Sequence, residues 1–325
     1  FLQNRLTFCA DIFERKVTDI LIPGGKDYPA LIGDDNLPFE NAGVLKTTGF
    51  ELQAKWSDKL SNGFAYSVGV ALSDDKAEVL SYPSNPTNKI GDGVLYKGYT
   101  VGDIWGYETG GILQESDFDG VGPNGKPLYH GAYFKGGQPY PGYVWYQDLD
   151  HDGVITSGLS TVDDPGDKKV IGNNAPRYRY NITANFQYKG FDLDLMFQGV
   201  GKRDYWLKDV SSYWGGGAGS WETYNQSWTP ERTDAKFPMY GSGIGSYAQS
   251  GYLLDASYIK LKQVILGYTF PKALIGKVGL EKLRLNIAAY NLFTLSDVPK
   301  YYDSDYLSDA YPPKRTFSVG IQVGF

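Results

Sequence analysis

Apolar and polar side chains alternate one by one along several segments of this chain, the period of a strand with one oily and one wet face. The clearest case is Arg315 to Phe325, where Phe317, Val319, Ile321, Val323 and Phe325 share a face opposite Thr316, Ser318, Gly320, Gln322 and Gly324. Arg5 to Ile12 opens the same pattern, with Leu6, Phe8, Ala10 and Ile12 against Arg5, Thr7, Cys9 and Asp11. Phe50, Leu52, Ala54 and Trp56 follow. After Ser61-Asn62-Gly63, a second arm returns through Phe64, Tyr66, Val68, Val70 and Leu72, which reads as a hairpin. Tyr178 to Tyr188 and Phe191 to Phe197 form another, turned at Lys189-Gly190. Ile259 and Leu261 alternate until the apolar phase slips to Val264, Leu266, Tyr268 and Phe270, which predicts a β-bulge around Gln263. Leu283, Leu285, Ile287 and Ala289 complete a set of about eight strands.

The connectors sort by side. Turns after the second, fourth and sixth strands are short, whereas Ile22–Asn41, Asp74–Ala175, Gly201–Ser250 and a stretch ahead of the last strand are long. Short turns at one rim and long loops at the other are the layout of an outer-membrane barrel. The expected fold is therefore all-β, an antiparallel transmembrane barrel segment with long extracellular loops over about 75–175 and 201–250. An open sheet in lipid would leave two unpaired edges, so the strands are expected to continue into an N-terminal part absent from these residues. Phe1, without a Met or leader, reads as a cut end. The alternative is a soluble sandwich whose oily faces meet a second sheet, acting as a calcium-stabilised carbohydrate-binding domain on the cell surface.

Composition narrows this further. The 325 residues carry a net charge of -6, which disfavours nucleic acid as a partner, and 27 Tyr with 41 Gly suit strands, tight turns and interfacial rings. No run of about 18 apolar residues predicts a membrane helix. The single cysteine, Cys9, builds neither a disulfide framework nor a Cys-based zinc site. His130 and His151 are isolated loop residues, and no nucleophile stands in a catalytic context, so no enzyme is expected.

Two loop features carry candidate chemistry. Asp148, Asp150 and Asp152, followed by Gly153 and Ile155, form the first half of a calcium loop, but the twelfth position is Leu159 instead of Glu. Asp163, Asp164 or Asp167 could supply the missing oxygen; an Asx turn without metal is the other reading. Trp105, Tyr107, Tyr143, Trp145, Trp214 and Trp221 are candidate substrate contacts, since aromatic faces stack on sugar rings. Loop self-packing or an interfacial girdle is the alternative for each.

Several runs resemble one family. Tyr146 to Ile155 (YQDLDHDGVI), Val170 to Gly172, Pro176 to Tyr178, Phe191 to Gly199, Tyr258 to Pro271, Leu283 to Thr294 and the final strand stand in the order and spacing of the C-terminal part of SusC/RagA-type TonB-dependent outer-membrane transporters. That resemblance implies a 22-stranded barrel with a plugged lumen, of which this would be the last third. It also implies import of oligosaccharides or peptides in a Bacteroidetes-type bacterium, a SusD-like lipoprotein over the mouth, and TonB engaged through a missing N-terminal part.

Overall fold

A computed structural model describes residues 1–24, 38–206, 224–242, 247–299, 302–307 and 313–325. Its main body is one antiparallel sheet of eight strands: β1 (Leu6–Pro23), β2 (Phe39–Lys59), β3 (Ala65–Ser81), β4 (Arg177–Tyr188), β5 (Phe191–Lys202), β6 (Tyr258–Thr269), β7 (Lys282–Ser296) and β8 (Thr316–Gly324). They pair in chain order from β1 to β8, with no crossover. Each strand is thus hydrogen-bonded to its sequence neighbours, and β1 and β8 are the edges.

Register joins the separate alternations into one surface. Phe8, Ala54, Val70, Ile182, Phe197, Leu261, Phe293 lie in one cross-strand row, and a second runs Phe186, Leu193, Leu266, Ile287, Val319. None of the described residues covers this face: Ile12 is 90%, Ile287 57% and Val319 76% exposed. The soluble-sandwich alternative needed a second layer here, and among the described residues the other sheets are two-stranded. Hydrocarbon satisfies such a face; water does not.

The opposite face is small and polar. Cys9, Gln53, Ala71, Asn181 and Gln198 make one row across β1 to β5. Nearer the short turns, Arg284 pairs with Asp192, and Ser67 donates to the Asn185 side-chain carbonyl at 3.1 Å.

The short turns follow their residues. Lys189 and Gly190 both have positive φ, +47° and +87°, the backbone of a two-residue hairpin turn that only a glycine at the second position adopts freely. Around this rim an aromatic girdle forms. Phe64 lies against Tyr66, Phe186 and Tyr188 with ring centroids 5.9–6.2 Å apart, and Tyr268 contacts both Phe191 and Phe270 at 4.5 and 4.9 Å.

The expected bulge is present. Register slips between Leu261 and Gln263 in β6 and opposite Met196 and Phe197 in β5. Its effect is to keep Leu261 and Val264 on the oily face while Lys260 and Lys262 both turn to the polar one.

Two boundaries differ from expectation. The loop placed over Ile22–Asn41 is shorter, because β1 continues to Pro23 and β2 begins at Phe39; β3 likewise runs on to Ser81. These extensions rise above the apolar belt, where Glu14, Lys16, Lys46, Thr48 and Lys76 replace its oily positions, so strict alternation stops while backbone pairing continues. At the boundary Asp74 is buried, and Arg177 grips it with Nε and Nη2 at 2.6 and 2.5 Å.

Candidate functional site

The connection from Tyr82 to Pro176 is a folded cap. Its strands are too short for the wall: Asp103–Tyr107 pairs with Lys168–Asn173, Thr109–Ile112 with Val144–Tyr146, Phe118–Val121 with Pro127–Tyr129, and Tyr133–Phe134, in parallel, with Val154–Ile155. The long extracellular loop expected over about 75–175 is thus a long connection, and it folds into these short pieces. What they lack in ladder they gain in side-chain burial.

Two aromatic cores hold the cap. Val79, Ile90, Tyr96 and Tyr99 pack with Leu45, Leu95 and Trp105, rooting it on the extensions of β2 and β3. Tyr107, Val144, Tyr146 and Ile155 pack with Phe134 and Tyr252, so the second core draws on the next long connection as well. That connection is sewn in by polar contacts. The Tyr107 amide donates to the Ala248 carbonyl at 2.9 Å, the fully buried Gln249 donates to the Tyr146 hydroxyl at 3.2 Å, and Trp228 Nε1 donates to Gln114 at 2.9 Å. Burial pushes the Tyr107 phenol up to about 12, and it raises Tyr146 and Tyr252 further. All three are neutral at physiological pH and act as hydrogen-bonding and packing groups.

The candidate aromatics have different surroundings. Tyr107 is core. Trp105 is half-buried and donates its Nε1 to the Tyr96 hydroxyl at 3.0 Å. Trp145 lies flat on Gly110, where an added Cβ would sit 2.3 Å from the indole ring, so one of its faces is covered by backbone. Tyr143 is half-buried with its ring 5.5 Å from that of Tyr140. Trp214 and Trp221 lie outside the described residues.

The acidic loop closes differently from its motif. Gly153 N donates to Asp148 Oδ2 at 2.9 Å, and His151 and Gly153 take the positive φ values that the tight turn requires. Asp152 is not part of the carboxylate group that forms: its Oδ1 accepts the Val154 amide at 2.8 Å, an Asx turn. The third carboxylate is Asp167, wholly buried, which accepts the Leu149 and Thr156 amides at 2.7 Å each. One oxygen from each of Asp148, Asp150 and Asp167 lies within 4.8 Å of the others. Asp148 Oδ1 is buried without a hydrogen-bond partner. An all-oxygen donor set with one orphaned anionic oxygen fits a hard cation such as calcium. Asp163 and Asp164 stand outside the group.

A third loop crosses the polar face of the wall. The segment Tyr302–Leu307, here termed the strap, is seated by Leu307, which packs with Ala256, Val298 and Tyr205. Lys260 is almost wholly buried beneath it, with Nζ 2.8 Å from Asp303 Oδ1 and 2.9 Å from Asp305 Oδ2; Lys262 reaches Asp305 at 3.1 Å. Arg203 donates to the backbone carbonyls of Asn174 and Asp305, tying cap and strap together. Burial opposes the charge of Asp305, but hydrogen bonds from Lys260, Tyr258 and Lys262 outweigh it, and its carboxyl lies below the usual range. Sequence reasoning missed this node; the one available signal was two lysines on the polar side of a bulged strand.

Comparison with known proteins agrees with this architecture. No family model matches the chain. TonB-dependent receptor P3 of Formosa agariphila is 27% identical over 351 residues, a match that covers 99% of this chain and 33% of the receptor. TonB-dependent receptor SusC of Bacteroides thetaiotaomicron is 24% identical, across 100% of this chain and 31% of its own. The solved RagAB peptide transporter superposes with a TM-score of 0.72 at 20% identity, over 99% of this chain and 34% of the transporter's. The chain thus spans about a third of the length of the relatives it matches. Sequence likeness from end to end, the shared fold and the lipid-facing belt identify it as a barrel portion of a SusC/RagA-type TonB-dependent outer-membrane transporter.

Proposed function

We propose that the whole protein imports oligosaccharides or peptides across the outer membrane, energised through TonB, with a SusD-like lipoprotein over its mouth. Residues 1–325 supply part of the barrel wall and the loops that meet substrate or lid; the plug and the remaining strands belong to the rest of the protein. The observation that carries this reading is the two-faced sheet, oily toward lipid and polar toward an interior overhung by cap and strap. Deleting the full-length gene is expected to abolish growth on one class of oligomer and spare growth on its monomer. Unchanged growth of the deletion strain across glycan and peptide oligomers would refute import as the role.

We further propose that Asp148, Asp150 and Asp167 hold calcium that stiffens the cap. The cation would reach the tyrosines through the loop's exit strand, since Val154–Ile155 pairs with Tyr133–Phe134. A ligand at a hundred times its dissociation constant stabilises the folded state by about 2.7 kcal/mol. Calcium should therefore protect the cap of the full-length protein from protease, and Asp167→Asn should remove that protection while sparing the barrel. Identical digestion in calcium and in chelator would leave the Asx turn as the whole explanation.

A further inference from the structure

The short turns at one rim are not alike. Lys189 and Gly190 alone join β4 to β5, whereas β6 and β7 are joined through 270–281. Two residues suffice to close a hairpin, so the extra length serves something besides closure. Within it Lys272–Ile275 forms a short α-helix and Gly276–Val278 a 3₁₀ turn, ended by Gly279 at φ +77°. The stretch is fixed to the wall: Ile275 is buried, the Phe270 amide donates to the Leu283 carbonyl at 2.9 Å, and the Glu281 amide donates to the Gly324 carbonyl at 2.9 Å. Rooted in this way, it still leaves Leu274 58% and Val278 73% exposed.

The surroundings identify what covers those two side chains. Tyr268 and Phe270 carry the oily row of β6 straight into the turn, and Tyr268 lies against Phe191 of β5. The turn is therefore continuous with the face that meets hydrocarbon. Basic groups frame it. Lys272 and Lys277 stand in the turn itself, and Lys189 is a neighbour, because the Thr269 amide donates to the Gly190 carbonyl at 2.8 Å. The Lys189 ammonium lies 5.1 Å from the ring centroid of Tyr188, a member of the outward girdle. Among the described residues no carboxylate pairs with these three ammoniums, whereas on the loop side Lys46 pairs with Glu14 and Lys169 with Glu108. Exposed apolar side chains at a membrane boundary, framed by lysines, suit an interface whose acyl edge takes the apolar groups and whose phosphates take the ammoniums.

We propose that the β6–β7 turn anchors the barrel to anionic phospholipid of the periplasmic leaflet, with Leu274 and Val278 entering the acyl boundary and Lys189, Lys272 and Lys277 engaging headgroup phosphates. A water-soluble periplasmic protein is the other occupant to consider, and it has no need of continuity with the lipid belt. Each ammonium close to an anionic surface contributes roughly fivefold in affinity. The anchor is independent of which solute the transporter carries.

The test uses the full-length transporter and its Lys272→Gln/Lys277→Gln variant. The matched control, Lys59→Gln/Lys282→Gln, removes equal charge from the polar face at the same rim. Retained heat-modifiable gel mobility is the criterion of a folded barrel. Native mass spectrometry in detergent counts bound lipid, with dioleoyl phosphatidylglycerol and dioleoyl phosphatidylcholine as probes. Native protein and control should hold phosphatidylglycerol at least tenfold more tightly than phosphatidylcholine. The turn variant should lose at least tenfold for the anionic lipid and less than threefold for the neutral one. Hydrogen exchange reads the apolar half: amides of 273–279 should exchange at least threefold more slowly in phosphatidylglycerol nanodiscs than in phosphatidylcholine nanodiscs, and Leu274→Ser/Val278→Ser should abolish that difference. Equal phosphatidylglycerol affinity of native protein and turn variant, an equal loss in the control, or exchange indifferent to lipid would overturn the proposal. Protection of the turn that appears only on adding the soluble C-terminal domain of TonB would assign this face to a protein and overturn it as well. Should the double variant fail the mobility criterion, Lys277→Gln replaces it, with a loss of at least threefold expected and no loss counting against the anchor.

Discussion

Replacing Ile287 by lysine will destabilise the assembled barrel by about 2–4 kcal/mol, the cost of a cationic side chain facing lipid near the bilayer midplane. Ile287 stands mid-belt, flanked by Leu266 and Val319 in its row and more than half exposed in the absence of lipid. Ser318→Lys is the matched control. Ser318 is one residue from Val319 and points the other way, so a lysine there faces water and should cost less than about 0.5 kcal/mol. Urea titration of the full-length protein refolded into vesicles measures both. Equal costs at the two positions would mean that the oily face does not contact hydrocarbon, and the membrane assignment would fall with it.

Lys260→Met is the second substitution expected to have a large effect, and it acts on the strap. Removing the ammonium leaves Asp303 and Asp305 close together with only Lys262 at 3.1 Å from one of them, and breaking a buried pair costs about 3–5 kcal/mol. The strap should detach while the wall, paired along its whole length by backbone, stays folded. Hydrogen exchange at Asp303–Leu307 in the full-length protein reads this directly. Adding Asp303→Asn and Asp305→Asn to the methionine variant should recover much of the protection, because no uncompensated charge remains. The pH dependence has a definite sign. A carboxyl lowered in the folded state contributes stability above its unfolded value and loses it as pH falls through the lowered one, so the native strap should loosen only below the usual carboxylate range. In the methionine variant the sign reverses: with the ammonium gone the two carboxylates disfavour each other's charge, so the strap should regain protection as pH falls and they take up protons. Unchanged exchange in the variant would show that Leu307 and its apolar neighbours hold the strap alone.

The wall was legible in the sequence because lipid imposes a rule that every residue of a strand must obey. Phe317 to Phe325 or Tyr178 to Tyr188 cannot slip by one position without turning its oily set inward. The same rule exposed the bulge near Gln263. It stops at the edge of the belt, and so the reading ended β1 near Ile12 although pairing continues to Pro23. The cap follows no such rule. Its strands have two to six residues, and its core joins Tyr107 to Tyr252 across two connections, which no local period records. The acidic motif pointed to Asp148, Asp150 and Asp152, and the carboxylates that come together are Asp148, Asp150 and Asp167; the place of Asp167 depends on how the far arm of the loop folds back, with its carboxylate fixed by the Leu149 and Thr156 amides. Aromatic residues were informative as a class and uninformative one by one: Tyr107 and Tyr143 differ only in what packs around them.

The continuation of the first three strands past the belt has an electrostatic consequence. From Gly49 back to Phe39, β2 rises about 33 Å at roughly 3.3 Å per residue, or about 23–27 Å in height at the usual strand tilt. Screening in physiological salt decays over about 8 Å, so the top of this pillar stands some three decay lengths clear of the headgroups. Lys16, Lys46 and Lys76, near its base, feel the lipid charge; the upper loops do not. Capture of a charged solute at that height is governed by the loops' own groups, and a change in anionic lipid content leaves it unaltered.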